Sequence, residues 1–140
     1  MSDIKAGVIC VTDETLVERL RMPIGGARAL GEKEVVTGLQ VDRRRNPAWL
    51  VLNTGSGMAA RGITFAELGR RLVLPPMHQI EDMWIDTKRR LVCCVVTGGQ
   101  MPVVPHGRPI PDVELVVELV EERPGVPEHL HSRIEKKRAA

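Results

Sequence analysis

ITFAELGRRLVLP, residues 63–75, has a double: VTDETLVERLRMP, residues 11–23, follows the same plan 52 positions earlier. Thr12 matches Thr64, Leu16 matches Leu68, Arg19 matches Arg71, Leu20 matches Leu72 and Pro23 matches Pro75. Each stretch predicts a short helix. Thr64 and Glu67 form a capping box, in which the hydroxyl and the carboxylate satisfy free N–H groups of the first turn. Thr12 stands in the equivalent place, with Asp13 and Glu14 favoured at the positive end of the helix dipole. Val11 and Ile63 precede the caps, and Leu16 and Leu68 follow at hydrophobic-staple spacing. Pro23 and Pro75 stop the helices.

The likeness continues outward. VDRRR (41–45) matches IDTKR (85–89) at an offset of 44, and LVLNTGSGM (50–58) matches CCVVTGGQM (93–101) at 43. A longer loop and one extra turn residue in the first copy account for the shrinking offset. The strands expected are TGLQVD (37–42), AWLVLN (48–53), IEDMWID (80–86) and LVCCVV (91–96), joined as hairpins by polar, basic turns. DIKAGVICV (3–11) reads as an added first strand and DVELVVELV (112–120) as a last one. RPGVP (123–127) breaks the chain, and the basic tail 128–140 is either a short helix or frayed. The fold class expected is α+β: two fused helix–β-hairpin units on a mainly antiparallel sheet, with an extra strand at each end. The units span 1–58 and 59–122, packed as one compact domain, followed by the tail 123–140.

With 43% hydrophobic and 27% charged residues, the chain has an ordinary globular composition. Three aromatics, Trp49, Phe65 and Trp84, leave the core to aliphatic side chains. A net charge of +2 is far from that of a dedicated duplex binder. No apolar run reaches the roughly 20 residues of a membrane helix. MSDIKAGVIC lacks a signal-peptide pattern, so a cytoplasmic location is expected. Cys10, Cys93 and Cys94 are then free thiols. The offset of 43 sets Cys93 and Cys94 against Leu50 and Val51, as small apolar fillers that point to opposite faces of their strand. Gly98 and Gly99 end that strand, where a positive φ is tolerated.

MPVVPHGRPIPDVELVVE (101–118) follows a hydrophobic-Pro-x-Val-Pro-x-Gly-x-x-Ile-Pro-x-Val pattern. It resembles small accessory proteins encoded by phages of actinobacteria, in which the pattern follows a helix ending in Leu-Pro and a hairpin. The resemblance covers residues 63–120 and echoes over 11–58. It implies a phage accessory protein in the host cytoplasm. It brings no catalytic motif with it.

Catalytic residue patterns are sparse. Ser2, Ser56 and Ser132 sit in no nucleophile elbow. His129 and His131 on a basic tail read as solvated surface, and His78 and His106 as exposed loop residues. Asp42 and Asp86, each opening a turn, are expected to bond backbone N–H groups rather than act as paired acids. No cofactor and no metal are expected. NTGSGMAARG (53–62) lacks P-loop spacing, and the glycine-rich loop 24–36 is present in the first unit alone. The strongest functional hint is the pair of hairpin tips: Arg43, Arg44 and Arg45 in one, Lys88, Arg89 and Arg90 in the other, flanked by Trp49 and Trp84. The leading expectation is a non-enzymatic protein that binds another protein, of phage or host, and also self-associates. A nucleic-acid binder using the basic tips is second. A small-ligand, nucleotide-holding role for loops 24–36 and 53–62 is third.

Overall fold

The computed structural model describes residues 3–23, 27–55, 61–120 and 129–137. Among these the elements run β1 (Ile4–Thr12), α1 (Asp13–Arg21), β2 (Val36–Asp42), β3 (Trp49–Thr54), β4 (Arg61–Thr64), α2 (Phe65–Arg71), β5 (Gln79–Asp86), β6 (Leu91–Thr97), β7 (Val103–Val104), β8 (Asp112–Val120) and β9 (His129–Lys136). The fold is α+β, with mainly antiparallel pairing.

Both helices begin on a threonine cap. Thr12 Oγ1 accepts from the Thr15 N–H and Thr64 Oγ1 from the Glu67 N–H, each at 3.1 Å. The return half of the capping box is not made, because the Glu67 carboxylate turns to Arg71, 3.2 Å away. α2 closes in a Schellman motif: the Val73 N–H bonds the Arg70 carbonyl and the Leu74 N–H bonds that of Gly69. Val73 holds a φ of 61° there, a strained setting for a β-branched residue.

Two sheets form where the sequence predicts one. The larger runs β5-β6-β1-β8-β9, with β7 also on β1, and the smaller runs β2-β3-β4. An exchange separates them. β1, which leads into α1, does not pair with the hairpin β2–β3 that follows it. It pairs with β6, from Ala6↔Thr97 to Thr12↔Leu91. β4, which leads into α2, pairs with β3. Each hairpin therefore completes its sheet with the lead strand of the other half. β4 corrects the reading of 53–62 as a loop, of which 56–60 lie outside the described residues.

The matched strands share an irregularity. One bulge lies between Val36 and Gly38 and another between Ile80 and Asp82, 44 positions apart. β3 and β6, however, match at 42, since Leu50 faces Ile63 as Val92 faces Val11. The offset of 43 is one residue off, because the first turn (43–48) is two residues longer than the second (87–90). Cys94 thus takes the core place of Leu52, and Cys93 that of half-buried Val51.

The tail differs more sharply from expectation. Instead of a helix or a frayed end, β9 pairs along β8 from Val113↔Lys136 to Val120↔His129. Leu130, Ser132 and Ile134 alternate on the face of Leu119, Val117 and Leu115. The expected break at 123–127 lies outside the described residues. β1 and β8 are interior strands of the larger sheet rather than additions at its ends.

One apolar cluster joins both sheets and both helices, with Ile9, Leu16, Leu20, Leu50, Leu68, Met83 and Val96 at its centre. Each such aliphatic side chain contributes about 1.5–3 kcal/mol on burial. The described part of the loop 24–36, which begins at Ala27, is anchored. Leu30 is fully buried. Arg71, 5% exposed, donates to the carbonyls of Met22 at 2.9 Å and Ala27 at 3.0 Å. No described helix is long and apolar enough to cross a membrane.

Gly98 keeps an ordinary φ, against expectation; among the described glycines Gly107 alone has a positive one. Its reason is space, since a Cβ would run into the His78 ring. His78, expected exposed, is half-buried there, and its Nε2 accepts from the Gln100 N–H at 3.0 Å.

Candidate functional site

Tip one is largely occupied with its own structure. Arg43 donates to the Asp82 carboxylate and to the Met83 carbonyl, both at 2.7 Å, and so fastens tip one to β5. Arg44 forks onto Asp42 at 3.0 and 3.3 Å. That bond holds the Asp42 carboxyl below its ordinary range. Arg45 lies 4.1 Å from the centroid of the Trp49 ring, a cation–π contact. Trp49 in turn covers Gly62, where a Cβ would strike its ring. The Asn46–Pro47 peptide in this tip is cis.

In tip two, Arg89 leans towards Asp86 at 3.9 Å. Lys88 and Arg90 make no side-chain bond among the described residues. Asp42 accepts from the Arg44 N–H, and Asp86 from the N–H groups of Lys88 and Arg89. Both acids open turns. Trp84 is 41% exposed on β5, paired with Cys93 across the strands.

A groove of about 620 Å³ opens beside tip two. Its walls are α1, residues 35–39 and residues 85–92. Val17, Val36, Leu39 and Ile85 supply an apolar floor that is continuous with the core. Asp13, Glu14, Glu18 and Asp86 stand along it, with Arg21 and Arg90 as its cations. Glu14 and Glu18 are exposed and form no ion pair among the described residues. Arg90 has a φ of 55°, and this turn delivers its carbonyl to the Asp13 N–H at 3.0 Å. Arg21 donates through Nη2 to the Glu34 carbonyl at 2.6 Å. Its Nε is buried with no acceptor.

Among the described residues, the matching place in the other half is filled by buried side chains. α2 packs directly on β5, whereas α1 makes no comparable approach to β2. At an offset of 52, Asp13 becomes Phe65, which is 5% exposed within the core, and Val17 becomes buried Gly69. The trace of this difference in the sequence is a mismatch: an aspartate and a phenylalanine follow equivalent capping threonines.

Sulfur chemistry adds one further feature. Burial pushes the thiols of Cys93 and Cys94 up to about 12. Among the described residues, no group of three His, Cys, Asp or Glu is placed to hold a metal ion. Set against known protein families, curated proteins and solved structures, the chain matches none of them.

Proposed function

We propose that the chain is a non-enzymatic accessory protein, of the phage type its proline-punctuated segment resembles, and that it binds another protein through the groove between α1 and tip two. The open groove carries this reading. It joins an apolar floor to two exposed acids, Glu14 and Glu18, that form no ion pair among the described residues. Apolar anchors surrounded by complementary charge are the usual make-up of a protein-recognition site. The segment that fits has branched apolar side chains for the floor and lysine or arginine for the acids. Tip one supports nucleic-acid binding less well, because Arg43, Arg44 and Arg45 are already engaged.

A displayed peptide library panned on the immobilised chain, followed by fluorescence anisotropy of the enriched peptides, tests the reading. Enriched peptides should combine basic and aliphatic residues. Val17→Arg should weaken them at least about tenfold, the loss of one anchor contact. Arg44→Ala with Arg45→Ala should leave them unchanged. Equal binding by the Val17 variant would overturn the groove. Salt-sensitive retention of RNA or DNA that disappears in the double arginine variant would favour the tips.

A further inference from the structure

Cys10 and Cys93 stand 83 positions apart in the chain, yet β1 and β6 set them directly opposite in antiparallel register. Their Sγ atoms are 2.7 Å apart. Opposed residues in such a ladder have Cα atoms about 4.5–5.5 Å apart, within the span that a disulfide bridges. Cys10 is half-buried beside a small cleft between β1 and β8. Cys93 is 5% exposed. Cys94 faces the core on the other side of the sheet and belongs to neither.

We propose that Cys10 and Cys93 are an oxidation site, closing a reversible cross-strand disulfide by exchange with a small disulfide such as oxidised glutathione. The Cys10 thiolate attacks one glutathione sulfur, and the other glutathione leaves as its thiolate. The Cys93 sulfur then attacks Cys10 Sγ, its proton passing to the departing second glutathione. Two protein thiols are oxidised by two electrons, and one oxidised glutathione becomes two reduced ones. Cys10 enters first because it is the more exposed. Burial first and the bond to Cys10 second push the Cys93 thiol up, which suits it to the second step.

The link would fasten the groove from behind. α1 starts three residues after Cys10, and Arg90 lies three residues before Cys93. The proposal does not depend on what the groove binds.

The test uses the full chain, reduced, exposed to oxidised glutathione, then unfolded and alkylated. One alkylated cysteine, Cys94, is expected, with an intact mass lower by two hydrogens before alkylation and a linked Cys10–Cys93 peptide. The thermal midpoint should rise and return with dithiothreitol. Cys10→Ser should abolish the link and the rise, and Cys94→Ala should keep both. Glutathione persisting on Cys10, a Cys93–Cys94 link, a linked dimer as main product, or three free thiols would each overturn it.

Discussion

After the capping threonine of α1 comes Asp13, at the rim of an open groove; after that of α2 comes Phe65, sunk in the core. One turn further on, Val17 lines the groove floor, while Gly69 lies buried where α2 closes on β5. The two stretches share a threonine cap and a bulge in the following strand, but α2 packs on β5 whereas α1 makes no comparable approach to β2. The second half fills its cleft and provides stability. The first leaves its cleft empty and keeps charge at the rim. A matched pair of this kind separates what the fold needs from what it has to spare.

Exchanging the two residues should break the contrast most severely. Phe65→Asp removes a buried ring and places a carboxylate among aliphatics, a loss of more than about 4 kcal/mol in denaturant unfolding. Asp13→Phe should stay within about 0.5 kcal/mol of the parent, yet abolish binding of any groove peptide. The paired arginines sharpen the contrast next. Arg71→Ala strands the carbonyls of Met22 and Ala27, at about 2–4 kcal/mol by the same assay. Arg19→Ala, whose side chain has no partner among the described residues, should cost no more than about 0.5 kcal/mol.

The smallest effect concerns pH. Cys94 ionises near 12 in the folded chain, against an ordinary 9.0. Its contribution is full below the ordinary value and is lost as pH rises towards the folded one. In that window the unfolded chain releases a proton that the folded chain keeps. Stability should therefore fall by at most about 1.4 kcal/mol per pH unit from this thiol. Cys94→Val, restoring the aliphatic character of the matching Leu52, should lessen the slope of that alkaline limb in denaturant midpoints taken from about pH 8 to pH 10, leaving the share of Cys93.

What was legible in the sequence was local. The threonine caps and the turn-opening Asp42 and Asp86 depend on partners within three residues, whereas α2 closes at the Val73 turn before Pro75 is reached. The α+β class followed from them. Pairing across 80 or so positions left no such trace. Neither the exchange of lead strands nor the opposition of Cys10 and Cys93 has a periodic signature. β9 was missed for another reason: Ser132 interrupts its apolar face, and its charges resemble those of a tail. The groove leaves only a mismatch as its trace, Asp13 against Phe65 and Val17 against Gly69, which likeness between matched residues does not bring out.

The exchanged lead strands also govern how the molecule is assembled in time. β1 meets its partner between 79 positions (Thr12↔Leu91) and 91 positions (Ala6↔Thr97) along the chain, and residues 1–58 alone cannot complete either sheet. Loop closure must come before those pairings reward it, which sets refolding towards the slow end for a domain of this size. The hairpins β2–β3 and β5–β6 can form early; the shared core waits for the two halves to meet.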